Sequence, residues 1–273
     1  MAACRVKQEL GGLAQTMAGT QDASVAQWRR AAYGFGDFGF NLYWTTVSFF
    51  ILYFYTDVVG LSGTTAGLIF LLAMLWDGLT DPVMGYLAQR TRTRWGTYRP
   101  YFLFGAIPLA LSLVLLFHNP VLEGPALIAS VLLAHMLFRT AYTAVNVPYG
   151  ALSARITRST KVRNSLSAWR ISFATLGSAL VAYSTLRLVE QFGQGDASRG
   201  FLLTAVLYGC LSIPVFLTLF LTVREPPQPA TEANFASPRQ AFAGLLRNKP
   251  FLVMAGATVL ATLGGVLASK TLV

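Results

Sequence analysis

Asp77 and Asp81 are the only acidic side chains in an apolar run over residues 68–87. A run of about 20 residues is long enough to cross the hydrocarbon of a bilayer as a helix. Their spacing of four puts both carboxylates on one helical face, about 6 Å apart along the axis. Carboxylates are expensive in hydrocarbon and too short to reach the interface. Two on one face therefore call for a cavity, a bound cation or proton, or a basic partner. Pro82 adds to this, because it has no N–H and leaves the Gly78 carbonyl without its helical donor. Two carboxylates and a freed carbonyl would suit a hard cation. The competing reading is a packed pair neutralised by an arginine, serving helix assembly alone.

The elements that must position this pair follow from composition. The chain is 54% hydrophobic and 12% charged, with a mean hydropathy of +0.53. That describes a polytopic all-α membrane protein rather than a soluble domain. Apolar runs predict six spans over 33–55, 65–88, 101–117, 125–147, 164–189 and 200–223, and a seventh begins over 251–269. Residues 1–32 read as a cytoplasmic extension with no signal-peptide core. Residues 224–250 read as a cytoplasmic linker, Pro-rich where it opens at Glu225-Pro226-Pro227. Cys4 and Cys210 do not form a disulfide framework.

Polar residues inside the spans are the other candidates. Asp37 and Asn41 lie one turn apart in the first span. The fourth carries His135 and Arg139, Tyr142, Thr143 and Asn146, with Arg139, Tyr142 and Asn146 at i, i+3 and i+7 on one face. His135 reads as a packing residue with its polar atoms satisfied. The fifth span carries Arg170, for which snorkelling to the interface is the alternative to a role in a site.

The net charge of +10 is explained by topology. With the N-terminus inside, four cytoplasmic segments hold Arg5, Lys7, Arg29 and Arg30; Arg90, Arg92, Arg94 and Arg99; Arg155, Arg158, Lys161 and Arg163; and Arg224, Arg239, Arg247 and Lys249. These are 16 of the 21 basic residues. The bias sets a cytoplasmic N-terminus, and a nucleic-acid partner is not required; a cell inner membrane is the expected location.

Several motifs occur in register. Tyr33-Gly34-Phe35-Gly36-Asp37-Phe38-Gly39, Tyr55-Thr56-Asp57-Val58-Val59-Gly60-Leu61-Ser62, Trp76-Asp77 with Asp81-Pro82-Val83-Met84-Gly85, Arg92-Thr93-Arg94-Trp95-Gly96 and Asn146-Val147-Pro148-Tyr149-Gly150-Ala151-Leu152 resemble those of the glycoside–pentoside–hexuronide:cation symporters. That family belongs to the major facilitator superfamily, built from two six-helix bundles. The resemblance implies an N-terminal six-helix bundle plus the first helix of a C-terminal bundle, the rest of which is an expected partner. It also implies cation-coupled symport of a sugar, glycoside or hexuronide by alternating access, without a cofactor other than the coupling ion Na⁺, Li⁺ or H⁺.

Roles follow position by position from the same resemblance. Asp77 and Asp81 fall on the family's cation site, and would ligate the metal if the ion is Na⁺. Thr143 falls on a hydroxyl of that site, and Thr80 stands where the best-known member has an Asn. Arg170 falls on a sugar-contacting Arg, and Asn41, Asn146 and Asp37 complete the expected substrate-binding set. Asn41 and Asn146 stand where that member has Asp, and Gly150 replaces a Trp. The pocket thereby loses two negative charges and a stacking surface, which eases entry of a charged substrate such as a hexuronide.

Two other classes share some features. Gly34-Phe35-Gly36-Asp37 and Pro125-Ala126-Leu127 match short signatures of intramembrane aspartyl proteases, but the required companion motif on a preceding span is missing, so an enzyme is not expected. Lysolipid or amphiphile carriers of the same superfamily use a similar aspartate pair. A half-transporter, inactive in isolation, is a further expectation.

Overall fold

The structure, a computed structural model, describes residues 26–157, 159–225, 247–249, 252–253 and 256–257. The chain divides into two units, Met1–Pro226 and Pro227–Val273. Most of the seventh span, Lys270, most of the linker and residues 1–25 of the extension lie outside the described residues.

Among its described residues the first unit holds six long helices: α1 (Gln27–Tyr53), α2 (Gly63–Arg90), α3 (Arg99–Leu116), α4 (Gly124–Ile156), α5 (Thr160–Gly193) and α6 (Ala197–Thr222). A π-helical turn, Phe54–Val58, extends α1. All six expected spans are present as helices. Their ends differ from the sequence expectation in three places. α1 begins at Gln27, so the last residues assigned to the extension, Arg29 and Arg30 included, are helical. α4 continues through Pro148 to Ile156, and α5 already begins at Thr160. The basic segment between them is therefore mostly helix. Charge limits where a helix can lie in a bilayer, not whether it forms, so polar ends are invisible to hydropathy.

α2 to α6 are each long and apolar enough to cross a membrane. α1 is not among them, because Asp37 and Asn41 dilute the apolar stretch that follows its two arginines. Its position accounts for this. α1 packs against α5 and α6, and Tyr33, Leu42, Tyr43 and Ile51 on it are fully buried. Association inside a bilayer gains little from hydrophobic burial, so it relies on close packing of small residues. Gly34 shows this: a Cβ there would lie 2.7 Å from the Trp169 backbone of α5. α2 is the opposite case. It packs mainly on α4 and leaves Leu68, Leu71, Leu75, Leu79, Val83 and Leu87 exposed.

At the α2–α3 turn, Gly96 has φ +115°, a conformation open mainly to glycine. The turn presents three consecutive backbone N–H groups to one carboxylate. Thr97, Tyr98 and Arg99 donate to Glu225, at 2.9, 2.6 and 2.9 Å. Arg99 in turn donates to the Phe220 carbonyl at the end of α6, at 2.6 Å from Nη2 and 3.2 Å from Nε. Burial raises the Tyr98 phenol above its ordinary pKa, opposed by Arg155 and assisted by the Glu225 charge. Tyr98 is thus a neutral hydroxyl at physiological pH.

Candidate functional site

α1, α2 and α4 together line a cavity of about 370 Å³. α1 supplies Asp37, Phe40, Asn41 and Trp44; α2 supplies Asp77 and Asp81; α4 supplies Tyr142, Thr143 and Asn146. The i, i+4 spacing of the carboxylates does put both on the face toward α4. Arg139 Nη1 donates to Asp77 Oδ2 at 2.8 Å, and Thr143 Oγ1 donates to Asp81 Oδ1 at 2.8 Å. Each partner lies 62 residues beyond its carboxylate, so α2 and α4 run in the same direction where they meet. Trp76 Nε1 donates to Thr140 Oγ1 at 2.8 Å on the flank of the same contact.

Arg139 is itself held on several sides. Its side chain is 5% exposed. Its Nε donates to His135 Nε2 at 3.4 Å, and His135 Nδ1 lies 3.1 Å from the Tyr55 hydroxyl. The guanidinium lies over the rings of Trp44 and Phe70, at 5.4 and 5.7 Å. His135, expected to be a satisfied packing residue, is fully buried with both ring nitrogens engaged.

The oxygen set can be tested against a cation. Asp77 Oδ1 is buried and lacks a hydrogen-bond partner among the described residues. A buried acceptor without a donor is costly, and a cation or a proton would satisfy it. Asp77 Oδ1, the Asp81 carboxylate and the Thr143 hydroxyl are hard oxygen donors that fit an alkali cation. Among the described residues no group of three or more His, Cys, Asp and Glu forms a metal centre. Two expected ligands are not brought to this set. Gly78 is exposed and does not line the cavity, because one residue of helix turns it about 100° away from Asp77. The Thr80 hydroxyl bonds back to its own helix, to the Trp76 carbonyl at 3.1 Å and the Asp77 carbonyl at 3.5 Å.

The residues expected at a substrate separate into two layers. Asn41 and Asn146 line the cavity, as does Asp37. Asn41 Nδ2 donates to the Asp37 carbonyl at 2.8 Å, and its Oδ1 accepts from Ser178 at 3.0 Å. Arg170 does not line the cavity. It forks onto Asp37, with Nε at 2.6 Å from Oδ2 and Nη2 at 3.2 Å from Oδ1. Tyr149 donates to the same Oδ2 at 2.7 Å, and the guanidinium lies 4.9 Å from the Tyr149 ring centroid. Arg170 therefore turns inward to α1 rather than out to the interface. The aromatic wall of Phe40, Trp44 and Tyr142 was not among the expected site residues. Its only sequence signal was the placement of Tyr142 on the Arg139–Asn146 face.

Helices long and apolar enough to cross a membrane, around a cavity lined by acids, amides and rings, describe a multi-pass membrane protein with a polar site. The chain belongs to the MFS/sugar transport protein family, whose model matches residues 32–273. The resemblance drawn from the motifs therefore holds, and with it the all-α class. Members of this family are transporters, which removes the protease reading. Among curated relatives, "Putative glycoside/cation symporter YagG" of Escherichia coli (strain K12) is 37% identical over 196 residues, 72% of this chain and 43% of that protein. "Inner membrane symporter YicJ" of the same strain is 34% identical over 72% of this chain and 43% of its own length. "Isoprimeverose transporter" of Lactiplantibacillus pentosus is 31% identical over 86% of this chain and 51% of its own. The chain spans about half the length of these relatives.

Proposed function

We propose that this chain supplies the ion-binding side of a secondary transporter that couples Na⁺, Li⁺ or H⁺ to symport of a sugar or glycoside across the cytoplasmic membrane. The observation that supports this most directly is the shared cavity. The carboxylates of Asp77 and Asp81 and the amides of Asn41 and Asn146 line the same space of about 370 Å³, within the range of small-molecule sites of about 300–1,000 Å³. Amides offer both donors and acceptors to sugar hydroxyls, and the rings of Trp44 and Tyr142 offer apolar faces to a pyranose. The relatives named as glycoside/cation symporter and isoprimeverose transporter support the substrate class.

The mechanism follows from charge. A cation or proton bound at Asp81 and the free oxygen of Asp77 neutralises one wall of the cavity. Substrate in the same cavity then binds better, and by linkage the cation binds better when substrate is present. Alternating access requires a second body to rock against this one around the cavity. The basic segments flanking the helices orient the bundle with its N-terminus in the cytoplasm.

The test is uptake of radiolabelled isoprimeverose and methyl pentosides into proteoliposomes under an imposed Na⁺ or H⁺ gradient, using the full gene product. Asp81→Asn is expected to abolish uphill accumulation while retaining exchange down a gradient. Undiminished uphill uptake in Asp81→Asn would sink the proposal.

A further inference from the structure

We propose that Arg139 is a resident cation of the ion site, and that it discriminates against Na⁺ by occupying one of the two carboxylates. This rests on the reading of Asp77 and Asp81 as the ion-binding pair. The charges facing the cavity carry the argument. Asp37 is neutralised by the fork of Arg170, and Asp77 by Arg139 at 2.8 Å. Asp81 has a hydroxyl, that of Thr143, as its partner. An entering monovalent ion therefore meets one uncompensated negative charge, not two. Cation affinity at oxygen sites is set by the number of charged ligands, so removing one carboxylate from that number weakens Na⁺ in particular.

Arg139 is built into place. A guanidinium keeps its charge throughout the physiological range, so it is a permanent occupant of Asp77. Its side chain is 5% exposed, and His135, itself fully buried, fixes its far side at 3.4 Å. The rings of Trp44 and Phe70 close over it. The His135 contact also assigns the histidine tautomer: Nε2 accepts from Arg139, so Nδ1–H donates to the Tyr55 hydroxyl. Tyr55, His135 and Arg139 form a buried brace whose end is the charge on Asp77. Arg139 could leave Asp77 only by stranding a buried guanidinium, so it does not yield to Na⁺ at physiological concentrations.

The experiment measures ion-specific thermal stabilisation of the purified protein in detergent, because an ion that binds the folded state raises Tm by mass action. NaCl is titrated against choline chloride at constant ionic strength for wild type, Arg139→Gln, Arg139→Lys and Arg139→Gln/Asp81→Asn. Wild type is expected to show no saturable Na⁺ stabilisation at millimolar concentrations. Arg139→Gln is expected to gain one, with a midpoint at least roughly tenfold lower than in wild type, because a neighbouring positive charge has been removed. Arg139→Lys keeps the charge and is expected to behave as wild type, and adding Asp81→Asn to Arg139→Gln removes the gain. Saturable Na⁺ stabilisation of wild type at millimolar concentrations that Arg139→Gln leaves unchanged overturns the role of Arg139 alone. No Na⁺ response in either protein overturns this proposal, while the ion-site reading then stands or falls on the uptake of Asp81→Asn under an H⁺ gradient. If Arg139→Gln does not fold, Arg139→Met is read in its place, and saturable binding of radioactive Na⁺ to the wild type at millimolar concentrations overturns the resident cation whichever variant folds.

Discussion

At the residue scale, each acid of the cavity has a distinct partner, and the partner determines what the acid can do. Asp37 is clamped by a planar fork from Arg170 and by the Tyr149 hydroxyl. Lysine offers a point charge without that geometry, so Arg170→Lys is expected to lose at least one of the two fork bonds. The Arg170 side chain is 33% exposed, so the expected loss is modest, about 1–2 kcal/mol. A double-mutant cycle with Asp37→Asn checks it: the two changes are expected to cost less together than separately, and strict additivity would contradict the clamp. The face shared by Asp77 and Asp81 was readable in the sequence, because a spacing of four fixes it. The identity of their partners was not. Arg139 and Thr143 are four apart on their own helix, but nothing local says that α4 lies beside α2 in that register. Thr80 shows the converse. Its type suited an ion site, but its hydroxyl is satisfied one turn back on its own backbone, as Ser and Thr often are in helices.

At the scale of elements, α2 to α6 were legible from hydropathy, α1 falls short of the apolarity of a span, and the helix ends were not legible. α4 passes through Pro148 without ending, because a helix buried among others can re-satisfy the freed carbonyl. The junction between the α2–α3 turn and the end of α6 left no sequence signal, since Glu225 lies 126 to 128 residues beyond the amides it accepts from. A carboxylate at the start of a helix gains both hydrogen bonds and the favourable end of the helix dipole. Glu225→Ala is therefore expected to destabilise the bundle by about 1–2 kcal/mol. Gly96→Ala is expected to be worse, because a Cβ would fall 2.9 Å from the Glu225 carboxyl and the backbone has φ +115°. Thermal unfolding in detergent measures both. Equal stability of Glu225→Ala and wild type would show that this carboxylate is replaceable by water.

At the scale of the whole molecule, composition and the asymmetry of basic residues lead to an orientation. Residue 119 lies in the turn between α3 and α4, and residue 94 in the turn between α2 and α3. With Cys4 and Cys210 replaced, Asn119→Cys is expected to react with a membrane-impermeant maleimide in intact cells, and Arg94→Cys only after permeabilisation. Labelling of Arg94→Cys from outside would invert the topology. The exposed apolar side of α2 is compatible with lipid or with another body, and its low burial was not apparent from an apolar run that looks the same on every face.

The central claim, that cation and sugar meet in the cavity of Asp77, Asp81, Asn41 and Asn146, is tested most directly by linkage. Isothermal titration of isoprimeverose and methyl pentosides into the full gene product is made with and without the coupling ion. The ion is then titrated with and without sugar. The account predicts that each tightens the other by the same factor, as binding linkage requires, and that Asp81→Asn reduces that factor to one. Sugar affinity that is independent of Na⁺, Li⁺ and pH in the wild type would contradict it.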